Sequence, residues 1–161
     1  MSVAADQKFT ELIDQSRGII YKVIRLYVRN PEDEKDLFQE ILFQAWKSYP
    51  RFDGRSKFST WLYRVGLNTV LTFQRRPDLV RATDNLEPMG GSDYSHERNE
   101  SADALYQAIR ELNDIDRMIV TLHLDGYENE EISEIAGITK NHVAVKLHRI
   151  KETLTRKLKD R

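Results

Sequence analysis

Asn141, Val145, His148 and Arg149 share one side of a stretch that reads as a single long helix, 140–159, and their chemistry suits the edges of nucleic-acid bases. Apolar Val143, Leu147, Ile150, Leu154 and Leu158 recur there at steps of 4, 3, 4 and 4. At roughly 100° per residue, the first set points away from that apolar seam. An arginine can hold guanine through two hydrogen bonds, asparagine or histidine can donate to base edges, and valine can touch a thymine methyl. Thr139, Lys140 and His142, around the helix start, are placed for phosphates. A short helix over 129–136 precedes them, with Ile132, Ile135 and Ala136 on its inner face. Gly137 stands where the chain must turn, Ile138 plugs the corner, and the Thr139 hydroxyl is set to cap the next helix. The arrangement is that of a helix-turn-helix reader, with a helical hairpin in an interaction domain as the plainer alternative.

A second pattern lies upstream. Over the predicted helix 57–76, Lys57, Arg64, Asn68 and Arg75 fall within about 40° of one another, with Arg76 at the end. Phe58, Trp61, Leu62, Val65 and Phe73 line a neighbouring face and anchor the helix; Trp61 reads as core rather than as a stacking platform. The helix before it, about 31–49, has Leu37, Phe38, Ile41, Leu42, Ala45 and Tyr49 on its inner face. Phe43 falls roughly 140° from the centre of that face, beside Asp36 and Glu40 and near Gln39. A large aromatic among acids on an outward face suits a partner surface. Asp36 and Glu40 have no third ligand to complete a metal site, so neither metal nor cofactor is expected.

The elements that must position these residues are all helical. A first helix is predicted over 6–29 from Phe9, Leu12, Ile13, Ile19, Ile20, Val23, Ile24 and Tyr27, and Asn30-Pro31 ends it. Residues 77–100 hold two prolines and a Gly-Gly pair among few large apolar side chains, which reads as a flexible linker. The fold expected is all-α: two small helical domains, 1–76 and 101–161, tethered by 77–100, the second a helix-turn-helix. Charge follows the same division. Residues 51–76 carry six basic and one acidic group, and 139–161 carry eight and two, while 77–138 carry four and fifteen. Two basic blocks around an acidic middle predict two separate contacts with a polyanion.

Several functions are excluded. The 161 residues contain no cysteine, which removes disulfides, thiolate metal sites and thiol nucleophiles. No apolar run approaches the roughly 18 residues of a membrane span, so membrane insertion is not expected, and the start lacks a signal-peptide core; a cytoplasmic protein is expected. His96, His123, His142 and His148 are dispersed, and no phosphate-binding glycine loop or nucleophile–base pair stands out, so an enzyme is not expected.

DLFQEILFQAWKSYPRFDG (36–54), followed by FSTWLYRVGLNTV (58–70), is similar to the core of the extracytoplasmic-function sigma factors, and the helix-turn-helix with LHRIK (147–151) resembles their fourth region. The resemblance spans nearly the whole chain, in order. It implies a promoter-specificity subunit whose partners are bacterial core RNA polymerase, promoter DNA and an anti-sigma factor. Asp36, Gln39, Glu40 and Phe43 would then dock on the clamp of the polymerase's largest subunit. Lys57, Arg64, Asn68, Arg75 and Arg76 would open and read the −10 element, with a base flipped into a pocket built partly by 52–57. Thr139, Lys140, Asn141, His142, Val145, His148 and Arg149 would contact the −35 element. Ala144 and Val145 depart from the family, where these positions are often basic and small polar, which leaves more of the readout to His148 and Arg149. The competing reading is a stand-alone helix-turn-helix regulator of duplex DNA, a class that usually dimerises.

Overall fold

The structure, a computed structural model, describes residues 2–75 and 100–160. These fall into two compact units, one on either side of 76–99, with helices and no strand among the described residues. Arg76 and the expected linker therefore lie outside the described residues, apart from Glu100, which opens a helix.

The first unit contains α1 (Val3–Gln15), α2 (Arg17–Tyr27), α3 (Pro31–Ser48) and α4 (Phe58–Gln74). The single first helix expected over 6–29 is divided at Ser16. The Ser16 N–H bonds the Ile13 carbonyl only three residues back, at 2.9 Å. Gly18 follows at once, and glycine costs a helix about 1 kcal/mol relative to alanine. The break still lets both halves bury their apolar residues, Phe9 and Ile13 from α1 and Ile20, Val23 and Ile24 from α2.

Asn30 begins α3 by accepting the Glu32 N–H at 2.9 Å, and Pro31 occupies the first turn, where its missing N–H costs nothing. Leu37, Ile41 and Ala45 give α3 a fully buried seam. The helix ends at Ser48 and a 3₁₀ turn, Tyr49–Arg51, carries the chain through Pro50. α4 packs against both α2 and α3, so it is buried on two sides: Leu62, Leu67 and Val70 are enclosed, and Tyr63 and Phe73 nearly so. Gln74 donates to the Tyr27 carbonyl at 3.3 Å, tying the end of α4 to the end of α2. The buried face predicted for α4 is displaced by this double packing. Leu62 and Phe73 are buried as expected, whereas Phe58, Trp61 and Val65 are half-buried.

The second unit contains α5 (Glu100–Arg110), α6 (Asp114–Leu124), α7 (Asn129–Ala136) and α8 (Lys140–Lys159). Ala108, Ile109, Met118, Ile119, Leu122, Ile132, Ile135, Val143 and Leu147 form its core, and α8 packs on all three other helices. Leu112 is buried but lies beyond the end of α5. Leu158 is 36% exposed at the last turn of α8, where the seam runs out of neighbours. The Arg117 guanidinium donates to the Arg110 and Leu112 carbonyls at 2.7 and 3.1 Å, closing the free end of α5.

Candidate nucleic-acid interface

The turn between α7 and α8 is built as its residues predict. Gly137 ends α7 at φ 74°, ψ 29°, the left-handed region that glycine enters without a Cβ clash. Its N–H and that of Ile138 both bond the Ser133 carbonyl, at 2.9 and 3.2 Å. Thr139 caps α8: its Oγ1 accepts the His142 N–H at 3.1 Å, which leaves its own hydroxyl proton to donate outward. Lys140, Asn141 and His142 are exposed around this positive helix end, an arrangement that receives phosphate.

Along α8, Asn141, Val145, His148 and Arg149 are all exposed, Val145 at 41%, and turn away from buried Val143, Leu147 and Ile150. The structure thus gathers the predicted base-reading residues on one face. His148 Nε2 lies 3.3 Å from Glu152 Oε1 one turn on, so the acid of this face holds the imidazole. Two lysines of the basic block turn inward instead. Lys146 reaches Asp116 at 3.0 Å and Lys157 reaches Glu111 at 2.8 Å, bracing α8 against α6 and against the turn that follows α5. Lys140, Arg149, Lys151, Arg156 and Lys159 remain exposed as the cationic surface.

In the first unit Lys57, Arg64, Asn68 and Arg75 are all exposed, so the predicted stripe along α4 stands outside the core. An aromatic cluster at its foot was not legible from periodicity. Phe52, Phe58 and Trp61 lie with ring centroids 5.3–5.9 Å apart. Tyr49 joins them, and Phe9 of α1 lies 5.1 Å from Tyr49. These rings clamp both ends of the 52–57 loop, whose Gly54 has φ 78° and whose Asp53 accepts the Arg55 N–H at 3.0 Å. Trp61 is therefore an anchor, half-buried and open on one side.

On α3, Asp36, Gln39 and Phe43 are exposed, Phe43 at 52%. Trp46, one turn beyond Phe43, is 47% exposed and extends the same face; its i,i+3 spacing from Phe43 is the signal that could have found it. Burial, and then the neighbouring Asp36 and Glu32, push the Asp33 carboxyl above the usual aspartate range. Glu40 departs from the outward set. It is half-buried, accepts from Gln44 Nε2 at 3.0 Å, and lines a groove of about 200 Å³ shared with Asn68, Thr69 and Thr72 of α4. No group of acids, histidines or cysteines able to hold a metal occurs among the described residues.

Comparison with known proteins finds two matching families along the chain. Residues 12–78 match the Sigma-70 region 2 family and residues 102–154 match Sigma-70, region 4. The chain is 30% identical to the ECF RNA polymerase sigma-E factor of Escherichia coli K12, over 95% of this chain and 88% of the relative. It is 27% identical to the ECF RNA polymerase sigma factor SigW of Bacillus subtilis, over 94% and 89%. Its fold is similar to the sigma factor RpoE in complex with the anti-sigma factor NepR from Bartonella quintana, with a TM-score of 0.68 at 19% identity, covering 96% of each chain. It is also similar to CnrH in complex with the cytosolic domain of CnrY, with a TM-score of 0.67 at 18% identity, covering 96% of this chain and 90% of the other.

Proposed function

The chain belongs to the extracytoplasmic-function sigma factors of the sigma-70 family, and from that premise we propose how its two units divide the promoter. It is an RNA polymerase sigma factor, a transcription initiation factor that directs core polymerase to specific promoters. In our reading residues 1–76 dock on core polymerase and hold the opened −10 element, 77–100 is the tether, and 101–161 reads the −35 element in duplex form.

Docking falls to the outward face of α3. Asp36, Gln39 and Phe43, extended by Trp46, offer an aromatic pair ringed by acid and amide, a composition suited to the centre of an interface. Lys57, Arg64, Asn68 and Arg75, with Arg76, track the non-template strand. Thr139, Lys140 and His142 fix α8 on phosphates, and Asn141, Val145, His148 and Arg149 face the base edges. Because two proteins of similar fold are seen bound to NepR and to the cytosolic domain of CnrY, we also propose that an anti-sigma factor restrains this protein by covering one of these faces.

The observation that carries the reading is that two exposed stripes of different make occur in two separate units. A stand-alone duplex regulator needs only the second. Transcription in vitro with bacterial core polymerase tests it: the protein should direct initiation at defined start sites, and Gln39→Ala with Phe43→Ala should weaken competition for core while leaving helicity unchanged. Duplex binding with no initiation in the presence of core would contradict the proposal.

A further inference from the structure

Glu152 is the one acid among the eight charged side chains of α8, and sequence reasoning gave it no task. At roughly 100° per residue it falls within about 10° of the centre of the set Asn141, Val145, His148 and Arg149, and opposite the buried seam. Its side chain is 64% exposed, and His148 Nε2 lies 3.3 Å from its Oε1. The imidazole restrains the carboxylate through that oxygen, and Oε2 is left only to accept.

An acid in this place needs a reason. Lys140, Arg149, Lys151, Arg156 and Lys159 are exposed on the same helix and gain affinity from phosphates. A carboxylate among them lowers affinity for any duplex. An exposed pair one turn apart adds little to helix stability, so the contact with His148 does not offset that loss. What a carboxylate adds to a base-reading face is discrimination. In the major groove guanine presents N7 and O6 and thymine presents O4, all acceptors, and the guanine amine lies in the minor groove. The donors there are N4 of cytosine and N6 of adenine. Adenine N6 stands beside N7, which repels a carboxylate, whereas cytosine carries no acceptor on that edge. Arg149, three residues before Glu152, is its neighbour on the helix surface, so a donor fork and an acceptor stand side by side.

We propose that Glu152 is a further specificity-determining residue of the second unit. Its free carboxylate oxygen accepts from the N4 amine of one cytosine in duplex promoter DNA and rejects guanine and thymine at that position, while the other oxygen stays with His148. The proposal rests on the −35 reading given to the second unit.

The test uses holoenzyme assembled from the full chain and core polymerase, and promoter duplexes in which each −35 position carries each of the four bases in turn. Wild-type holoenzyme should prefer cytosine to guanine at one position of one strand. Glu152→Gln, whose amide accepts or donates, should reduce that ratio about tenfold. Affinity for duplex without a −35 element should rise in the same variant, because one negative charge near the phosphates is gone. A uniform gain across the whole set, with base preferences intact, would overturn the proposal and leave Glu152 as a brake on phosphate binding. Unchanged preferences with unchanged affinity would overturn it as well. Arg149→Ala, measured in parallel, separates the two levels of the argument. If it shifts base preference and Glu152→Gln does not, the −35 reading stands and the Glu152 proposal alone falls. If wild-type holoenzyme shows no base preference at any −35 position, that reading fails and the proposal with it.

Discussion

α4 and α8 both present an exposed stripe to which a DNA contact is proposed, yet they are built in opposite ways. α4 is buried on two sides and carries one charged side chain in its seventeen residues, Arg64. α8 buries one seam and carries eight charged side chains in twenty, seven of them basic. A helix that reads an intact duplex must stand clear of its domain to enter the major groove, and it gains affinity from phosphate charge. A helix that holds a melted strand has no groove to enter. It needs a rigid wall with recesses and stacking surfaces, and few cations suffice. Under the proposed division of labour, charge density marks the duplex reader, while burial and aromatic anchoring mark the strand holder.

The largest effect should come from breaking the rigidity of α4. Leu62 is fully buried, and Leu62→Ala should cost about 2–5 kcal/mol in denaturant unfolding of the first unit. Open-complex formation should fall with it, while binding of a −35 duplex by the second unit persists. Normal promoter opening in a variant so destabilised would break the comparison, because a rigid wall would then be unnecessary.

Next in size is base readout by α8. Arg149→Ala should cost on the order of 1–3 kcal/mol at one position of the −35 element, measured across a library of −35 variants. Lys140→Ala should weaken binding to every sequence alike and flatten its salt dependence. An equal loss across the library for Arg149→Ala would make Arg149 a phosphate contact and leave His148, held by Glu152, as the specific reader.

Thr139 carries the smallest effect. Thr139→Ala removes the cap on the His142 N–H and should cost about 1 kcal/mol of stability. It should also lower duplex affinity evenly, since the proposed reading sets this hydroxyl against the phosphates. Unchanged thermal unfolding would show that the first turn of α8 holds without its cap.

Much of this was legible in the sequence, and for identifiable reasons. The span of α8 and the turn before it follow from Gly137, Thr139 and a regular apolar seam, all local signals. The outward placement of Phe43, Asn68 and Arg149 follows from helical geometry alone. What escaped was tertiary. The break at Ser16 depends on how α1 and α2 each find a core. The half-burial of Trp61 and Phe58 depends on α4 meeting two helices and on an aromatic cluster drawn from α1, the 3₁₀ turn and the loop. Glu40 was read as outward because a helical wheel of α3 alone does not show α4, whose Asn68 and Thr72 close the groove beside it.

The central claim is that the first unit holds a melted strand while the second reads duplex, and Asn68 tests it most directly. Asn68 is exposed at the mouth of the α3–α4 groove, and its side chain takes no part in the core. Permanganate oxidation of thymines around the start site, in holoenzyme carrying Asn68→Ala, is the measurement. The account predicts near-normal core binding and closed-complex formation with clearly reduced thymine reactivity on duplex promoter, and recovery of much of the loss on a template mismatched across the −10 region. Thymine reactivity equal to that of the wild type on the duplex promoter would contradict it.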